Sequence, residues 1–177
     1  CRVFVPYGAL GTGIAEESFD AGVRMKPDVI ACDAGSTDSG PYYLGTGEGK
    51  YARDSVKEDL RRMVKAGHWL QAPVLVGSAG TCGTDDGLAD ICREICKEEG
   101  IPAKLAKIYT QQNADMLEAK DREHKIFPLA GAPQTDGTVF EQCTNIVALA
   151  GAEPFQEALL RKADIVLCGR ATDTAII

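Results

Sequence analysis

Three Thr-Asp pairs, Thr37-Asp38, Thr84-Asp85 and Thr172-Asp173, each lie a few residues beyond a glycine and close behind an apolar run. Asp33 and Arg170 follow apolar runs in the same way, in VIACD and VLCGR. Carboxylates can take or return a proton. Hydroxyls and the free N–H groups of glycine-rich turns can hold a developing oxyanion, and a guanidinium can grip a carboxylate in one orientation. Asp38, Asp33, Asp173 and Arg170 are therefore the catalytic candidates. Asp38 leads them because it lies deep in the long polar stretch from Asp33 to Lys50, and such loops inside a compact domain are usually functional. Candidate ligand contacts are Gly11, Gly13, Ser36, Thr37, Ser39, Tyr42, Tyr43, Gly80, Thr81, Thr84, Asp85 and Thr172. Oxygen ligands from Asp38, Asp85 and Asp173 also suit a divalent cation such as Mg²⁺. The competing reading for Thr84 and Asp85 is a helix cap, and for Asp33 and Asp38 a turn-forming Asx role.

Glycine spacing narrows the field. Gly8, Gly11 and Gly13 read G-x-x-G-x-G, whereas a dinucleotide fingerprint needs G-x-G-x-x-G. GTGEGKY lacks the first glycine and the Ser or Thr of a P-loop. A nest of backbone N–H groups with Lys50 or Arg170 as counter-charge still suits a phosphate or carboxylate. The two histidines, His68 and His124, have no G-x-S-x-G elbow to activate, which disfavours a serine hydrolase. Cys92 and Cys96 fall on an apolar helical stripe and read as core. Cys32, Cys82 and Cys168 lie near strand ends, with a nucleophile as the minority reading.

These groups need a scaffold that brings loop ends together. Apolar β-rich runs alternate with segments of helical period, the rhythm of repeated βα units. The expected strands are Arg2 to Tyr7, Asp28 to Cys32, Pro73 to Gly77, Lys104 to Tyr109, Asn145 to Ala150 and Asp164 to Cys168. Several are continuously apolar, as strands covered on both faces are. Helices are expected over Glu16 to Met25, from a Ser55/Glu58 capping box to Gly67, through Leu88 to Cys96, over Asn113 to Glu123, and from Pro154 to Ala163. Ile126 to Thr138 reads as an irregular excursion. The fold class is α/β: a three-layer αβα domain with a mainly parallel central sheet, Rossmann-like but with a non-standard glycine motif. In such sheets the loops leaving the strands' C-terminal ends share one crevice.

The net charge of −7 argues against broad capture of nucleic acid or an anionic membrane. No run approaches the roughly 18 to 20 apolar residues that span a bilayer. Seven scattered cysteines suit a reducing, cytoplasmic setting better than a disulfide scaffold. Cys1 opens the chain without an initiator Met and Ile177 ends it in an apolar segment, so the expectation is a single domain over residues 1–177 that forms the N-terminal portion of a longer chain, cut at both ends.

The ordered series PYGALGTG, PDVIACDAGSTDSGPYYLGTG, VLVGSAGTCGTD, Glu153-Pro-Phe and DIVLCGRATDTA resembles the acyclic terpene utilisation (AtuA-like) family. The resemblance implies a cytoplasmic catabolic protein acting on branched carboxylic acids as CoA thioesters, with CoA as part of the substrate. A homo-oligomer or a place in a catabolic complex is expected. The reaction expected of these loops is a lyase- or hydratase-type step on a small carboxylate or acyl-CoA. The alternative is a non-catalytic binding or assembly subunit whose loops hold an acyl-CoA, a nucleotide or a neighbouring subunit.

Overall fold

The structure is a computed structural model that describes residues 1–83, 86–132 and 137–177, with Ser39 and Asp86 described by backbone alone. In chain order the elements are β1 (Val3–Phe4), α1 (Glu16–Arg24), β2 (Val29–Asp33), α2 (Tyr42–Thr46), α3 (Arg53–Leu70), β3 (Val74–Gly77), α4 (Asp86–Glu99), β4 (Leu105–Ile108), α5 (Ala114–Arg122), α6 (Glu153–Leu160) and β5 (Ile165–Cys168). Short 3₁₀ turns occupy Thr37–Ser39, Gly137–Gln142 and Asp173–Ile176.

The strands form one parallel sheet in the order β1-β2-β3-β5-β4. Parallel crossovers are right-handed, so connections stepping one way along the sheet pack on one face and those stepping back pack on the other. The steps from β1 through β4 run one way. Accordingly Phe19 of α1, Leu60 and Met63 of α3 and Ile91 and Ile95 of α4 bury against Ile30, Cys32, Val74, Val76 and Leu167. The step from β4 to β5 runs back, and Phe155 and Ala158 of α6 bury against Ala31, Leu75 and Val166 on the opposite face. Ile176, from the turn after β5, joins this second core. Three layers result, as the apolar strand runs imply.

The two edge pairs repeat one device. Asp28, just before β2, accepts the Arg2 N–H at 2.6 Å, while Asp164, just before β5, accepts the Lys104 N–H at 2.7 Å. Each follows a lysine in left-handed backbone, Lys26 and Lys162. The matching strings KPDVIAC and KADIVLC thus mark equivalent strands on either side of β3. On the outer face of the first layer, Arg53, Lys57, Arg61 and Lys65 of α3 pair with Glu94, Glu98 and Glu99 of α4 at 2.5 to 3.2 Å. Such solvent-screened pairs serve mainly to hold the two helices in register.

Two expectations are corrected. Helix α3 starts at Arg53 behind Ala52, whose side chain makes no capping bond, so Ser55 lies inside the first turn and the capping box does not form. Asn145 to Ala150 is no strand. Its hydrogen bonds go to loop residues beyond β4 and β5, Ala148 N–H to Thr110 and Ala150 N–H to Arg170, so it makes isolated bridges instead of a ladder. It runs as a strap across those loops.

Phe155 is 2% exposed and Leu160, on the same helix, 78%. Phe155→Ala should cost about 3 to 5 kcal/mol and Leu160→Ala less than about 0.5 kcal/mol, read from urea midpoints at unchanged slope.

Candidate functional site

At the C-terminal edge the loop after β3 leaves toward the first face and the turn after β5 toward the second. Strands that diverge in this way leave a crevice between them. Into this seam β2 delivers Asp33, β3 delivers Ser78 and Thr81, and the β5 loop delivers Arg170 and Asp173.

The loops meet backbone to backbone, which requires glycine. A Cβ on Gly35 would lie 2.3 Å from the Thr81 nitrogen, and one on Gly169 would lie 2.1 Å from Thr110 Oγ1 and 2.6 Å from the Gly83 carbonyl. Thr110 Oγ1 in turn accepts the Arg170 N–H at 2.7 Å. Ser78 Oγ donates to the Ala171 carbonyl at 3.2 Å and stands beside Asp33. Ser78 and Thr81 both sit in left-handed backbone, a strained choice for residues with side chains. The Thr81 hydroxyl is buried without a hydrogen-bond partner among the described residues.

Arg170 is buried, and the one side-chain hydrogen bond it makes among the described residues is a long 3.4 Å contact from Nη1 to the Gly35 carbonyl. Most of its five donors are therefore available to an anion. Burial lifts the Asp33 carboxyl above the ordinary carboxylate range, and the Asp173 charge adds to the lift; Ser78, Arg170 and the Gly35 N–H oppose it. A half-buried acid of raised pKa beside a buried guanidinium makes this seam the candidate site.

The other candidates divide. Gly11 and Gly13 are taken: their N–H groups donate to Asp59 Oδ2 at 2.8 and 3.0 Å, so the first glycine loop holds the protein's own buried carboxylate. Asp38 is exposed; its N–H is capped by Ser36 Oγ at 3.1 Å, and its carboxylate makes no hydrogen bond or ion pair among the described residues. Thr37 and Thr172 are exposed beside it and Asp173 respectively. Tyr42 and Tyr43 stack edge to face on α2, with the Tyr42 hydroxyl 3.4 Å from Glu48. Gly80 lies in the β3 loop, its carbonyl accepting the Lys50 N–H at 3.2 Å. Thr84 and Asp85 lie outside the described residues, as does the side chain of Ser39.

Burial pushes the Cys32 thiol well up and that of Cys92 up to about 12, so neither is a nucleophile at neutral pH. Among the described residues no three His, Cys, Asp or Glu side chains come together to hold a metal ion.

Ser78, Thr110, Asp59 and Asn145 were not singled out by sequence. Ser78 stands inside the quoted motif GSAGTCG. Asn145 ties the layers of the site together, its Nδ2 donating to the Leu44 carbonyl at 2.6 Å and the Cys82 carbonyl at 3.1 Å. Nothing in its own neighbourhood signals that role.

The family model of acyclic terpene utilisation proteins, AtuA, matches residues 42–177. The chain belongs to this family. No curated protein and no solved structure matches it. In this AtuA-family chain the matched span takes in the β3 loop, the strap and the β5 loop, hence Ser78, Asn145, Arg170 and Asp173. Asp33 lies before it. Among the described residues no helix is long and apolar enough to cross a membrane.

Two predictions follow from the carboxylates. A raised folded-state pKa means that Asp33 favours folding below the ordinary carboxylate range and loses that contribution as pH rises through its folded value. Asp33→Asn should therefore melt higher than wild type at neutral pH, with the gap closing toward acid; a variant melting lower at neutral pH would contradict the assignment. Asp59→Ala, which strips two charged hydrogen bonds from the first glycine loop, should lose about 1.5 to 3 kcal/mol in urea unfolding.

Proposed function

We propose that this AtuA-family protein is a catabolic enzyme performing a lyase- or hydratase-type step on a small or branched carboxylate or its CoA thioester. The observation that carries the reading is the pairing of Asp33, lifted above its ordinary range by burial, with buried Arg170 at the seam. Asp33 takes the proton from the carbon beside the carbonyl, and its raised pKa makes it a stronger base than an exposed aspartate. The Arg170 guanidinium grips the carboxylate or thioester oxygen as negative charge develops there, with the Ser78 hydroxyl alongside. In the elimination direction the enolate's electron pair forms the Cα=Cβ double bond as the β-substituent leaves, and Asp33 passes the proton it took to that departing group. In the hydration direction Asp33 takes a proton from the water attacking Cβ and delivers it to Cα. Asp173 sustains the lift on Asp33 by its charge and acts as a positioning group.

The raised Asp33 favours this carboxylate for proton transfer over the exposed Asp38. The reading calls for a small carboxylate or acyl-CoA as the partner molecule. It puts the reaction in the cytoplasm, in keeping with the free thiols of Cys32 and Cys92.

Exchange of the hydrogens beside the carbonyl, followed by NMR in D₂O across a panel of branched acyl-CoA thioesters, tests it. Asp33→Asn should slow exchange by roughly 10²- to 10⁴-fold while thioester binding persists. Arg170→Lys, which keeps the charge but loses the fork, should weaken binding and exchange together. Ligand-induced stabilisation with no exchange on any thioester would mark a binding subunit instead.

A further inference from the structure

Alternate residues of the β3 loop face two different spaces. Thr81 packs on Gly35 at the seam, whereas Gly80 and Cys82 line a hollow of about 200 Å³ between the β1 loop, the β2 loop and the first turns of α3 and α4. Its walls are apolar: Leu10, Leu88 and Ile91 are buried side chains, and Val56 closes the α3 side. Two cations line it. Arg53 is engaged by Glu94 at 2.5 Å, but the Lys50 ammonium, 5.2 Å from the centre of the Tyr51 ring, forms no ion pair among the described residues. The Lys50 N–H donates to the Gly80 carbonyl at 3.2 Å and the ammonium lies over Tyr51, and all three residues line the hollow.

We propose that the hollow is a binding site for a short amphiphilic anion, its apolar tail among Leu10, Val56, Leu88 and Ile91 and its carboxylate at Lys50. The site is separate from the chemistry at the seam and does not depend on it. Apolar walls reward each methylene removed from water, and the Lys50 cation, unpaired among the described residues, fixes which end points outward. The volume limits the tail: at about 30 Å³ per water-sized group, the hollow admits about six or seven of them.

Titration calorimetry of the full chain with straight-chain carboxylates from acetate to decanoate, and with the matching primary alcohols, tests the site. Affinity should rise by about fourfold per added methylene and then fall once the chain exceeds about seven carbons. Val56→Phe should move that limit to shorter chains and Leu88→Ala to longer ones, each variant being checked for its fold by circular dichroism. Lys50→Gln should weaken the carboxylates and leave the alcohols unchanged. Affinity that does not depend on chain length, a limit unmoved in both folded variants, or equal loss of carboxylates and alcohols in Lys50→Gln would each overturn the proposal. Asp33→Asn leaves this binding intact, so failure at the hollow and failure at the seam are read separately.

Discussion

The divergence of two neighbouring parallel strands is the constraint on which the site depends. Where β5 lies beside β3, the outgoing chains take opposite faces, the loop after β3 joining the first core through Ala79 and Leu88 and the turn after β5 joining the second through Ala171 and Ile176, which leaves an open edge between them. Loops from β2, β3 and β5 fill it, and they fit only because Gly35 and Gly169 let backbone lie against backbone. The same insertion puts Arg170 under the loops, where its guanidinium is buried yet sparsely bonded.

Glycine-rich loops at strand ends are not all equivalent. The first is closed on an internal anion, Asp59, and works as a structural clamp between the β1 loop and α3. The same burial also lifts the Tyr7 phenol above its ordinary range, with the Asp59 charge adding to the effect. The β3 loop is divided between the seam and the hollow. Among the described residues, the β2 and β5 loops bring the charged groups Asp33, Arg170 and Asp173 to the candidate site. Four similar glycine clusters in the sequence therefore resolve into a clamp, a partition and two halves of one site.

Legibility followed the range of the forces involved. The strand runs VIAC, VLVG and IVLC were readable because burial on both faces imposes an unbroken apolar string, and the main helices because one face must be apolar at helical period. The run NIVALA carries the same string and forms a strap, because its hydrogen-bonding partners are the loops beyond β4 and β5. The Ser55/Glu58 pattern did not form a capping box because α3 begins at Arg53, two residues earlier, which puts Ser55 inside the first turn. Asp38 and Asp33 look alike in sequence. One is exposed beside its own cap and the other half-buried between Ser78, Arg170 and Asp173.

The sequence by itself determined the α/β class, the parallel sheet, the family and the loops in which the chemistry had to be sought, since each of these is written in local period and motif. Which carboxylate is lifted, which glycines are already occupied and which cation is left unpaired were decided by tertiary structure alone. Those properties arise from desolvation and from charges such as Asp33 and Arg170, far apart in the chain, that only the strand order brings together.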